Sequence, residues 1–137
     1  FLEPAGPIEL ADVTIDLDNA YGTVMVVSMD GEPLATSGKI LVQVMTEEKN
    51  FDWETRPVRA ALKKNGPELD CREIVSLGVP PICVREIAGT VSLNRPDAAE
   101  LTVTALDFQG YARESIKGGA DTLALLPDCL YYIVATN

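Results

Sequence analysis

Residues 40–46 read Ile-Leu-Val-Gln-Val-Met-Thr. Ile40, Val42, Val44 and Thr46 fall on one side of an extended chain, and Leu41, Gln43 and Met45 on the other. Both sides are mostly apolar, the pattern of a central strand with one face on the core and the other partly covered. Ser37-Gly38-Lys39 leads in. Glu47-Glu48-Lys49-Asn50 follows as a polar loop, and Phe51-Asp52-Trp53 comes after it.

The same alternation recurs along the chain. Val13, Ile15 and Leu17 alternate with Asp12, Thr14 and Asp16, as in a half-buried antiparallel strand. Residues 23–29 form a β-branched run, and Asp30-Gly31 is a strong hairpin signal. Pro33 then points to an edge or irregular path. Residues 58–64 carry enough Ala, Leu and Lys for a short helical turn between Pro57 and Asn65-Gly66-Pro67. Residues 69–77 fit either state, and Gly78-Val79-Pro80-Pro81 ends them. Further strands are expected at 84–87, 89–93, 101–105, 111–116, 122–126 and 130–135, with turns at Asn94-Arg95-Pro96-Asp97, Asp107-Phe108-Gln109-Gly110 and Pro127-Asp128. Short strands spaced by turns about ten residues apart predict an all-β, antiparallel β-sandwich, jelly-roll or immunoglobulin-like, of about eight to ten short strands. Residues 1–7, with two Pro and a Gly, read as a linker or entry segment, and 8–137 as a single β-sandwich domain.

Composition narrows the function. The 137 residues are 47% hydrophobic and 23% charged, as in a folded chain. The net charge of −10 argues against nucleic acid and an anionic membrane, since phosphate binding needs clustered Lys and Arg. There is no His, which removes the commonest general base and transition-metal ligand. Cys71, Cys83 and Cys129 form no Cys-x-x-Cys pair, so zinc spacing is absent, and Cys71 and Cys129 read as buried thiols. No apolar run has membrane-spanning length. Phe1 in place of Met suggests a processed protein or a piece of a longer one.

Three kinds of site deserve weighing. Exposed aromatic rings stack on sugar faces while amides and carboxylates bond the hydroxyls. Trp53, Phe51, Tyr21, Phe108 and Tyr111 lie in or beside expected loops, with Asn50, Asp52, Glu54 and Gln109 as hydrogen-bonding partners. The competing reading has Trp53 plugging the end of the sandwich or packing on a neighbouring domain. Of Tyr131 and Tyr132, one belongs to the core and the other to a solvent or interdomain face. Asp16, Asp18 and Asn19, or Glu47 with Glu48, offer oxygen ligands for Ca²⁺, against a solvated acidic edge that discourages strand addition; no other cofactor is indicated. Without His, a Gly-x-Ser-x-Gly elbow or a phosphate loop, nothing marks the chain as an enzyme by itself.

Residues 37–50 resemble the strand and loop, of the form s-k-+-L-h-h-h-h-t-x-x-x-N, in β-sandwich domains C-terminal to the catalytic barrel of some bacterial glycoside hydrolases. Glu86-Ile87-Ala88-Gly89-Thr90-Val91-Ser92-Leu93, then Leu106-Asp107-Phe108-Gln109-Gly110-Tyr111, then residues 123–132, resemble their v-e-g-t-v-x-L, a-L-D-x-x-G and L-x-p-x-x-L-Y-Y succession. The resemblance implies a non-catalytic accessory module of a secreted or periplasmic glycoside hydrolase. It would support the catalytic domain or hold polysaccharide near it, as a monomer. It carries over no catalytic residue. The alternative expectation is a structural or protein-interaction sandwich with no ligand.

Overall fold

The computed structural model describes residues 6–61, 63–116 and 118–136. Of the expected entry segment only Gly6 and Pro7 lie within them. The described residues contain eleven strands and one 3-10 turn, Ala98–Glu100, which the sequence did not suggest. The strands gather into an antiparallel β-sandwich, drawn from the described residues of 6–47 and 86–136, and a two-stranded ribbon from those of 48–85.

In the sandwich, one sheet has the order β1-β2-β7-β10: Ile8–Glu9, Val13–Leu17, Gly89–Leu93 and Leu123–Ala124. The other has the order β3-β4-β11-β8-β9: Gly22–Ser28, Lys39–Thr46, Tyr131–Ala135, Thr102–Leu106 and Ala112–Ile116. Strand β4 lies inside the second sheet, and the period-2 reading holds. Ile40, Val42, Val44 and Thr46 are buried, whereas Leu41 and Gln43 are half-buried and Met45 is exposed. Val13, Leu17, Val91, Leu93 and Leu123 from the first sheet share the core with Val103, Ala105, Tyr132 and Val134 from the second. Ala105 stands directly opposite Tyr132, so a small side chain leaves room for the large ring. Tyr132 is the core tyrosine and Tyr131 the half-buried one.

Several expectations change in the sandwich. Strands β3 and β4 do pair, but across a loop of residues 29–38 and not a tight Asp30-Gly31 turn. Only Leu123–Ala124 of the expected 122–126 strand pairs, and residues 85–87 are not strand. Three side chains hold these loops, Asn19 and Arg95 across long sequence separations and Asp30 within its own loop. Asn19, buried, donates from Nδ2 to Glu86 O at 2.9 Å and accepts from Ala88 N at 3.0 Å. Asp30 accepts from Gly38 N at 2.7 Å and Glu32 N at 3.2 Å, and its Oδ1 lies 2.8 Å from the hydroxyls of Ser28 and Ser37. Arg95, almost fully buried, donates to Leu34 O and Ser37 O and pairs with Asp97.

The hydrogen bonds from Ser28, then Ser37, hold the Asp30 carboxyl well below the usual carboxylate range. A depressed folded-state pKa contributes stability above the unfolded value near 4, lost as pH falls toward the folded value. The melting temperature should therefore fall between about pH 4 and about pH 2. Asp30→Asn should flatten that part of a thermal-melt pH series, and an unchanged slope would refute the assignment.

The ribbon pairs β5 (Glu48–Ala61) with β6 (Glu68–Val84) and reverses near Lys63–Gly66. This corrects the expectation of only short strands. The expected polar loop at Glu48-Lys49-Asn50 and the aromatic segment Phe51-Asp52-Trp53 are strand. The expected helical turn at 58–64 is strand through Ala61; Leu62 lies outside the described residues. The breakers in this segment have places in the ladder. Asn50 pairs with Ile82 and Phe51 with Val79, so Pro80 and Pro81, joined by a cis peptide bond, bulge out where no N–H is required. A second shift leaves Val75 unpaired.

Candidate functional site

The aromatic candidates separate between the two units. Trp53, Phe51, Asn50 and Asp52 lie on β5, whereas Tyr21 precedes β3 and Tyr111 precedes β9. Strands β3 and β9 are opposite edges of the five-stranded sheet, four strand spacings or about 19 Å apart. Tyr21 and Tyr111 are both exposed but do not form one stacking platform. The turn before Tyr111 is built by Asp107, whose Oδ1 accepts from Gln109 N and Tyr111 N while Phe108 stays exposed.

Within the ribbon, Trp53 pairs with Leu77 and Phe51 with Val79. Between them Asp52 takes a φ of 58° opposite Gly78 at φ 65°. A Cβ on Gly78 would lie 2.2 Å from Phe51 O, so this position admits only glycine, and the local distortion sets how Phe51 and Trp53 are presented. The Asn50 amide is already engaged, donating to Leu77 O at 2.8 Å. Trp53 is half-buried, and its indole N–H is enclosed without a hydrogen-bond partner. Beside it, Glu48, Lys49, Asn50 and Ile82 complete a shallow depression of about 280 Å³.

Around this point the ribbon is apolar and open. Ile74, Val75, Leu77, Val79 and Ile82 are all exposed, Leu77 at 65% and Ile82 at 66%. In β6 only Cys71, Ser76 and Gly78 are even half-buried. The polar support includes exposed cross-strand pairs, Arg56 with Glu73 at 2.6 Å and Arg59 with Asp70 at 3.6 Å, each contributing roughly 0.2–1 kcal/mol, and Arg72 Nε donates to Thr55 Oγ1 at 2.9 Å. Sequence reasoning marked Phe51 and Trp53 but missed the apolar run on β6, which its Gly and Pro disguised.

For a cation, Asn19 has its side-chain oxygen committed to Ala88 N. Among the described residues no cluster of three or more His, Cys, Asp or Glu could hold a metal. The three cysteines are free: Cys129 is buried as expected, Cys71 only half-buried, and Cys83 exposed. No helix among the described residues is long and apolar enough to cross a membrane. No protein-family model, curated protein or solved structure matches the chain.

Proposed function

We propose that the chain is a non-catalytic interaction module whose ribbon docks on protein. One observation carries this reading: a two-stranded ribbon of 14 and 17 residues exposes Phe51 and a row of branched aliphatic side chains. A two-stranded sheet alone is marginally stable in water, and a contiguous apolar surface of this kind marks an interaction site. The accessory role beside a secreted bacterial glycoside hydrolase, implied by the resemblance of residues 37–50 and 86–132, fits a docking module.

A second reading, polysaccharide holding, is favoured by the depression that Trp53 borders with Glu48, Lys49 and Asn50, an aromatic residue beside hydrogen-bonding groups. The two separate in a retention assay on a panel of insoluble and soluble polysaccharides. Protein docking predicts no retention of the chain, with Trp53→Ala behaving identically. Retention that disappears in a folded Trp53→Ala protein would move the function to sugar binding.

A further inference from the structure

One strand edge of the sandwich carries none of the usual protections against pairing. Strand β3, Gly22–Ser28, ends the five-stranded sheet, and among the described residues no strand pairs with its other side. Its sequence, Gly-Thr-Val-Met-Val-Val-Ser, holds no charge and no Pro, and its ladder with β4 runs without a register shift. Open edges are normally blunted by shortness, charge, Pro or bulges. The other strand edges show these devices. Strands β1 and β10 have two residues each. Strand β9 carries Arg113 and Glu114 and pairs across a register shift. The ribbon holds Pro57, Pro80 and Pro81 and two register shifts.

The backbone of β3 is set out for a partner strand. Met29 N donates to Lys39 O at 2.8 Å, and Val44 N donates to Leu130 O on the other side of β4. Hydrogen-bonded and non-hydrogen-bonded pairs alternate along an antiparallel ladder. Thr23, Met25 and Val27 therefore bond to β4, whereas Gly22, Val24, Val26 and Ser28 turn their N–H and C=O groups away from it. Val24 and Val26 pack against the core yet stay half-buried, while Val44 and Val42 opposite them are 0% and 1% exposed. A further strand with apolar side chains beside Val24 and Val26 would complete that cover.

Charge selects the partner. Residues 16–32 hold Asp16, Asp18, Asp30 and Glu32 and no Lys or Arg. On the adjoining β4, Lys39 is the one basic residue. A second copy paired antiparallel along β3 brings these acidic flanks against their own kind, which disfavours self-pairing.

We propose that β3 takes up an extended strand of another protein by β-addition, and that this strand alternates apolar side chains and carries Lys or Arg at both ends. Backbone bonds to Gly22, Val24, Val26 and Ser28 supply affinity, side chains beside Val24 and Val26 fix the register, and the basic ends meet the acidic flanks. This contact lies on the sandwich and is independent of docking by the ribbon.

The probe is the synthetic peptide Thr-Val-Thr-Val-Thr-Val-Thr with Lys-Lys at each end. Titration by fluorescence anisotropy should give a dissociation constant of about 10–100 μM, weakening several-fold when the Lys ends are replaced by Glu. At saturation the amides of Val24 and Val26 should exchange more than tenfold more slowly, with those of β5 and β6 unchanged. Peptide Val residues lying beside Val24 and Val26 point their N–H groups at β3. N-methylating the peptide Val residues should therefore abolish binding, and N-methylating its Thr residues should not, a contrast that needs no folded variant. In the chain, Val26→Pro removes an N–H that β4 does not use and should weaken binding more than tenfold with unchanged circular dichroism. No binding at about 1 mM, or the same result from both N-methylated peptides, would overturn β-addition. A Glu-ended peptide that binds as tightly as the Lys-ended one would overturn the basic partner. Protection of the β3 amides in concentrated chain without peptide would assign the edge to a second copy, and peptide protection confined to β5 or β6 would move the contact to the ribbon; either overturns the proposal.

Discussion

Gly89→Ala is expected to unfold the sandwich at temperatures where the parent chain is stable. Gly89 opens β7 at a φ of 139°, a conformation L side chains rarely adopt, and stands opposite Leu17. An added Cβ would lie 2.2 Å from Asp16 O and 2.7 Å from Leu17 Cα, both backbone atoms of β2 that cannot rotate away. Gly89 O also accepts from Leu125 N, so displacing it disturbs the loop beside β10 as well. The strained backbone and the forced separation of β2 from β7 together cost about 3–5 kcal/mol. That is a large part of the 5–15 kcal/mol typical of a domain and corresponds to a melting temperature lower by about 10–20 °C. Thermal melts followed by circular dichroism decide it, and a shift of only a few degrees would show that the β2–β7 approach is looser than described.

The second large effect is expected from Tyr132→Ala. Tyr132 is fully buried, lies between β4 and β8, and pairs across to Val42 and Ala105. Its hydroxyl accepts from Leu126 N at 2.7 Å, tying the loop after β10 to the core. Burial raises the pKa of the phenol, so the hydroxyl stays neutral through the ordinary pH range. Truncation removes the largest core side chain, leaves a cavity and abandons a backbone donor, for a loss of about 3–5 kcal/mol. Tyr132→Phe keeps the ring and loses only the acceptor, and should cost about 1–2 kcal/mol. Denaturant titration of both variants separates the terms. Equal losses would mean that the hydroxyl, and not the ring, carries the contribution.

The contrast between the sandwich and the ribbon explains what could be read from the sequence. Residues 89–93 were expected as strand and form β7 with those bounds. The core parity of Val13, Leu17, Ile40, Val42 and Val44 also holds, because one buried face and one open face write a period of two into the sequence. The ribbon has no fully buried position among its described residues, so half-buried and exposed residues alternate only in short runs along β5 and no period of two runs through β6. Its Ala-Leu-Lys composition at 60–64 and its Pro and Gly at 57, 66, 67, 78, 80 and 81 instead suggested a short helix and breaks. The Arg95–Ser37 contact was illegible for a different reason. Arg95 reaches Ser37 O across 58 residues, and no local pattern encodes such a meeting. The candidate aromatics Phe51 and Trp53 were visible as residue types, but the apolar setting that turns them from a loop into part of a docking surface became visible only in the ladder with Leu77 and Val79.

The central claim is that this ribbon is an uncovered docking element carried by a sandwich with its own core. Amide hydrogen exchange of the chain at a concentration where it is monomeric tests that most directly. The account predicts that β5 and β6 exchange orders of magnitude faster than β4, β8 and β11, because only the latter pack on a core. Ribbon amides protected as well as those of β4 in the dilute monomer would contradict it, since such a ribbon needs no partner.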